Sequence, residues 1–249
     1  MHKSLYGFDG PLAAPVPPLS PARHLAARAL RQASRALARL ARQIAMRRSL
    51  ARARRVSIAA LTECGVTLPH ADGDRLVFRH CRFLGWQDTI LVNRGRHYFA
   101  DCSIEGSVDF IFGGAAAYFD RCRVHCLADG YITAASTPKD QPQGYVFADC
   151  TVTGDDGVKT YLGRPWREFA RTVFLRTTMS AAVRAEGWHN WHKPAAERTT
   201  FYAEFGSTGP GANDAARVPW AKPLTAAAAA ALTPAAVLGG ADGWNPATP

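Results

Sequence analysis

The sequence predicts an all-β chain folded as a right-handed parallel β-helix, a solenoid of stacked coils, and three observations point there. A segment ending in cysteine recurs as Phe78-Arg79-His80-Cys81, Phe99-Ala100-Asp101-Cys102, Phe119-Asp120-Arg121-Cys122 and Phe147-Ala148-Asp149-Cys150, with a degenerate fifth copy from Phe174 to Met179. Around each copy apolar and polar residues alternate, as they do along a half-buried strand. The repeated cysteines lie 21, 20 and 28 residues apart with no helical pattern between them, the spacing that stacked coils require. An antiparallel sandwich would need closer strands and hairpin turns of the Asn-Gly kind, which are absent. Residues 72–190 are therefore assigned to the solenoid.

The segment before it is of another kind. Residues 1–22 are proline-rich, with Pro11, Pro15, Pro17 and Pro18 breaking any secretory apolar stretch, and are expected to be a disordered leader. Residues 23–60 turn to Ala, Leu and Arg, good helix formers. There Leu30, Ala33, Leu37, Leu40 and Ile44 form an apolar stripe among arginines, predicting a basic amphipathic helix. The formal charge of +10 belongs here: residues 1–60 hold twelve basic residues against the single acid Asp9, and residues 61–249 are close to neutral. With no aromatic residue to insert or stack, a solvated helix fits better than a nucleic-acid or membrane contact, and no nucleic-acid partner is expected. No run approaches the ~20 apolar residues of a membrane span. None of the six cysteines forms a CxxC pair and the eight histidines form no HxH or HxxxH set, so neither metal nor cofactor is expected.

Repeat register turns sequence offsets into proximity. Asp88 lies seven residues after Cys81 and Asp109 seven after Cys102. On adjacent coils the two would stand one above the other, about 4.8 Å apart at the backbone. Carboxylates that close titrate as a coupled pair with one pKa raised, an arrangement suited to acid/base and nucleophilic work. Spacing alone fits two solvent-facing turn aspartates slightly better. Asp129, also seven residues after Cys122, shows that register by itself over-predicts.

The flanking words decide it. Gly85-Trp86-Gln87-Asp88-Thr89, Val108-Asp109-Phe110-Ile111-Phe112-Gly113 and Tyr161-Leu162-Gly163-Arg164-Pro165-Trp166 resemble, in order and spacing, three signature segments of the pectin methylesterase family. The likeness continues through Glu186-Gly187-Trp188, Phe201 to Gly206, Gly209 to Ala212, Arg217-Val218-Pro219-Trp220 and Leu238-Gly239-Gly240, covering residues 72–249 within an esterase-like domain of 61–249. The resemblance implies hydrolysis of pectin methyl esters by a monomer, in an extracellular or periplasmic setting. Asp109 would be the nucleophile, Asp88 the acid/base, Gln87 an oxyanion donor and Arg164 the partner that holds Asp109 ionised and aimed. Phe112, Trp166 and Trp86 would line a sugar-binding groove, while Trp188 fits a core position as well as a groove position. The resemblance also implies a Cys102–Cys122 disulfide; a free buried pair is the other reading.

Three departures from the family stand out. The Arg/Ala segment occupies the place of the first coils. The stretch Cys64-Gly65-Val66-Thr67-Leu68 has no glutamine where the family carries a second oxyanion donor, a loss that can cost ~10²–10³ in turnover. Leu91 replaces an aromatic and Gly114 an asparagine. The alternative is thus a catalytically impaired homologue acting as a polysaccharide-binding or remnant protein. A calcium-dependent lyase, also a β-helix enzyme, would need clustered acids, and only Asp129 offers itself.

Overall fold

A computed structural model of the chain describes residues 70–248. The expected leader and basic helix, and Cys64–Leu68, lie outside those residues. All strand pairings are parallel, and the chain winds through three faces. One face is a six-stranded sheet of β2 (Leu76–Arg79), β5 (Arg96–Ala100), β7 (Ala116–Asp120), β9 (Tyr145–Ala148), β12 (Arg171–Leu175) and β14 (Phe201–Phe205). The other two are the halves of an eight-stranded sheet bent along its length. The first half holds β3 (Arg82–Leu84), β10 (Thr151–Gly154), β13 (Thr178–Met179) and the starts of β6 (Ser103–Gly113) and β8 (Arg123–Ala135). The second holds β1 (His70–Ala71), β4 (Ile90–Val92), β11 (Thr160–Gly163) and the ends of β6 and β8. The fold is the parallel β-helix the repeats predict.

The repeated words explain the stacking. Phe78, Phe99, Phe119, Phe147 and Phe174 are paired in register, their rings 4.7, 4.6, 4.3 and 4.5 Å apart and tilted by no more than 15°. An identical ring in each coil lets every coil pack on the next with one repeated contact, so the column is a continuous core. The residue before each cysteine, and Arg176 before Thr177, makes the corner: His80, Asp101, Arg121, Asp149 and Arg176 all have φ between 47° and 55°. Each donates its backbone N–H across the stack, at 2.8–3.0 Å, to a carbonyl of the next coil. Left-handed backbone is unfavourable for non-glycine residues. Asp101 with Arg121 and Asp149 with Arg176 form forked ion pairs along this corner, so alternating charge supports it.

The structure adds to and corrects the repeat reading. The fifth copy is real, with Thr177 in the place of the cysteine, and a sixth strand, β14, lies beyond residue 190. The structure holds Cys102 and Cys122 as buried thiols with no bond drawn between them, the other of the two readings. The two thiols remain neighbours, and each Sγ also faces the carbonyl two residues back in its own corner, Ala100 O at 3.3 Å and Asp120 O at 3.5 Å. Trp188 belongs to the core, stacked on Tyr202 at 4.4 Å and near Phe174 at 6.0 Å.

The described residues also hold three short α-helices, α1 (Ala196–Thr199), α2 (Ala226–Ala231) and α3 (Pro234–Leu238), and two 3₁₀ turns at Asp214–Ala216 and Gly240–Asp242. Thr225 and Thr233 cap α2 and α3, each side chain accepting from the N–H three residues on. Val237 and Leu238 of α3 are buried against the outer side of the six-stranded sheet, where Tyr98, Tyr118 and Val173 would otherwise face water.

Candidate active site

The site forms where the eight-stranded sheet bends. Gly85 and Gly106 sit at that bend on adjacent coils, and each is followed three residues later by an aspartate. A Cβ at Gly85 would collide with Thr89 Oγ1, and one at Gly106 with the Phe110 side chain. Only glycine lets the chain fold back this tightly. Gln87 pairs with Val108 across the coils, and Asp88 N–H donates to Val108 O at 3.1 Å. Asp88 (φ 55°) and Asp109 (φ 51°) share the left-handed conformation, so the same bend is made twice and the carboxylates are stacked neighbours.

Asp129 does not join them. The pairing of β6 with β8 shifts register after Gly106, setting Val108 opposite Tyr131. Asp129 falls instead on the surface, accepting from Lys159 N at 2.8 Å and from Arg184 at 3.2 Å. The extra residues that carry it away are the reason a count from the cysteine over-predicts.

Arg164 comes from two coils further on. It follows β11, which pairs with β8, which pairs with β6, so its backbone lies roughly 10 Å from that of Asp109. Its Nε and Nη2 donate to the two oxygens of Asp109 at 2.8 and 2.7 Å. Both side chains are largely buried, 16% and 9% exposed. This two-point fork needs the planar donor set of arginine. Gly163 before it is fixed by packing, since a Cβ there would collide with Thr133 Oγ1.

The electrostatics separate the two acids. Asp88 is pushed above the ordinary carboxylate value of 3.8, mainly by burial and then by the charge of Asp109, against a smaller opposing pull from Arg164. The Arg164 fork goes to Asp109, and Asp88, without it, holds its proton to a higher pH than an ordinary aspartate. This has a stability consequence. A raised folded pKa favours the folded state fully below 3.8 and loses that support as pH climbs through the raised value. Asp88→Asn, whose amide tolerates the same left-handed backbone, should therefore melt higher than the parent at neutral pH. Melting curves from pH 3 to 8 should show the difference opening only above about pH 4.

Among the expected groove residues, Phe112 and Trp166 meet with ring centres 5.8 Å apart. Gln87 is exposed on the turn immediately before Asp88. Trp86 is 58% exposed on the same turn and, among the described residues, makes no ring contact tying it to Phe112 or Trp166. Sequence reading missed Tyr131 and Trp191, whose rings lie 3.8 and 3.7 Å from Arg164 Cζ. Neither belongs to a motif word. Tyr131 could have been found only by knowing the register shift.

The chain as a whole, with its β-helix, has known relatives. The Pectinesterase family model matches residues 52–241, and the chain belongs to the pectinesterase family. The match begins upstream of residue 72, inside the stretch expected to be helical, and takes in Leu238-Gly239-Gly240. Pectinesterase 31 of Arabidopsis thaliana is 47% identical over 153 residues, covering 61% of this chain and 48% of its own length. The pectin methylesterase from carrot superposes with a TM-score of 0.64 at 32% identity, covering 68% of this chain and 58% of the carrot chain. A pectin methylesterase solved in complex with a hexasaccharide gives 0.60 at 32% identity, covering 71% and 60%. The chain spans about half the length of the curated relatives it matches.

Proposed function

We propose that the chain hydrolyses methyl esters of pectin, yielding methanol and free galacturonate carboxylates. The observation that carries this reading is the asymmetric pair: Asp109 forked by Arg164 at 2.8 and 2.7 Å, beside Asp88 with its pKa raised. An Asp109 oxygen attacks the ester carbonyl carbon, and the negative charge that develops on the carbonyl oxygen is met by the Gln87 amide. Asp88 gives its proton to the departing methoxide, leaving an acyl-Asp109 anhydride and methanol. Water then attacks the anhydride carbonyl, Asp88 takes its proton, and Asp109 is released as carboxylate. Phe112, Trp166 and Trp86 offer apolar faces to the sugar rings. A polymer of this size acts outside the cytoplasmic membrane, so the reading carries an extracellular or periplasmic location.

Methanol release from methyl-esterified pectin tests it. The intact chain should turn over, and Arg164→Lys should fall about 10²-fold or more, since a point charge replaces the fork. A second reading has its own observation: residues 64–68 hold no glutamine. On it the groove binds methyl-esterified oligogalacturonate without cleaving it, which calorimetric binding with no methanol would show.

A further inference from the structure

Arg164 reaches Asp109 across two coils, and a long side chain at that reach needs something to hold it. Its Cζ is 3.8 Å from the ring centre of Tyr131 and 3.7 Å from that of Trp191. Two rings can approach one planar carbon so closely only from opposite faces. The faces of the guanidinium are thus covered by aromatic surface, and an edge is left for the carboxylate.

The segment carrying Trp191 is built for this at a cost. Trp191 and His192 both have φ 55°, a conformation bulky side chains avoid and keep only when their surroundings impose it. Those surroundings are present. Trp191 N–H donates to His189 Nδ1 at 3.0 Å, and His192 N–H to Asn190 Oδ1 at 2.9 Å. Asn190 Nδ2 in turn donates to Glu197 Oε1 at 2.7 Å. Lys193 Nζ donates to the carbonyls of Pro165 and Trp166, both at 3.1 Å, and lies 4.6 Å from the Trp191 ring. The strained turn is therefore tied to the loop that presents Arg164 and Trp166.

We infer that Trp191 and Tyr131 are positioning residues, an aromatic clamp that fixes the Arg164 guanidinium in the plane of the Asp109 carboxylate and keeps water off its faces. The kinetic consequence rests on the esterase reading; the clamp itself rests on the geometry. Neither ring acts on the substrate. Both set how long Asp109 stays aimed, so their loss should act on turnover rather than on binding.

The test uses the full chain labelled with ¹⁵N. The Arg164 Nε–H resonance, identified by its loss in Arg164→Lys, should exchange slowly with solvent in the parent. Trp191→Leu should speed that exchange at least ~10-fold, and Trp191→Phe, which keeps a ring, should restore it. Tyr131→Leu opens the other face and should do the same, which also covers the case that Trp191→Leu does not fold. In methanol release, the leucine variants should lose kcat by about tenfold with KM within about twofold, again with rescue by Trp191→Phe. Unchanged Nε–H exchange in a folded leucine variant would overturn the clamp. The expected exchange pattern in a protein that releases no methanol would leave the clamp standing and remove the esterase reading instead.

Discussion

Asp109→Asn should lower methanol release by at least about 10⁴-fold while leaving a folded protein. The size follows from the role. The amide oxygen is a poor nucleophile, and no second carboxylate lies at the same point of the bend to replace it: Asp88 occupies the neighbouring coil, without the arginine fork. Removing the atom that makes the covalent bond costs on this scale in other nucleophilic enzymes. Folding should survive because asparagine accepts the left-handed backbone at φ 51° and still offers one acceptor to Arg164. The other prong would meet an amide NH₂, so a stability loss of about 1–3 kcal/mol is expected. Kinetics on methyl-esterified pectin, with circular dichroism to monitor folding, decide it. Turnover within tenfold of the parent would take the nucleophile role away from Asp109.

What could be read in advance was whatever repeats. Phe78, Phe99, Phe119, Phe147 and Phe174 announce the column because each coil needs the same ring at the same place. Asp88 and Asp109 announce the bend because it is made twice, each time with glycine three residues earlier. What could not be read depends on coils that differ in length. The two glycine-led bends keep equal counts, but the next coil carries extra residues before Tyr131, which sends Asp129 to the surface and brings Tyr131 towards Arg164. The cysteine ladder was legible as a ladder but not in its oxidation state: stacking sets the spacing of Cys102 and Cys122 whether or not they bond. Trp188 and Trp191, three residues apart, look alike in sequence. The left-handed turn at Trp191 separates them, one into the core and one against the guanidinium.

The motif words themselves divide into two kinds that the sequence does not distinguish. Those around Asp88, Asp109 and Arg164 gather at the bend. Those of the tail build the end of the solenoid. Trp188 stacks on Tyr202, and Trp220 lies 6.0 Å from Tyr202, extending the phenylalanine column to its last member. Lys222 N–H donates to Tyr202 O at 2.7 Å and Val218 N–H to Glu186 O at 3.1 Å, drawing the tail across the final coils. A strand stack left open would expose both its aromatic column and its unpaired backbone, so an end needs closing.

Arg217→Met should expose how much that closure depends on one ion pair. Arg217 and Glu204 are 5% and 6% exposed, joined by two bonds of 2.7 and 2.9 Å. The remaining guanidinium hydrogens go to Arg184 O, Ala185 O and Gly211 O at 3.1, 3.0 and 2.8 Å. Gly187 is part of the device, since a Cβ there would stand 2.5 Å from Arg217 Cδ. Methionine fills much of the space but leaves Glu204 buried without its counter-charge and takes the arginine donor from Ala185 O and Gly211 O, while Arg184 O keeps the Gly187 N–H at 3.0 Å. Breaking one side of a buried pair costs about 3–5 kcal/mol, which at about 2–4 °C per kcal/mol lowers the melting temperature by roughly 6–20 °C. Replacing both members, Arg217→Met with Glu204→Leu, should recover most of that loss, because the penalty lies in the stranded charge more than in the missing attraction. Thermal melts of the single and double variants measure it. A single-variant loss under about 1 kcal/mol would mean that the tail is held by its aromatic contacts and not by the pair, since surface pairs are worth no more than that.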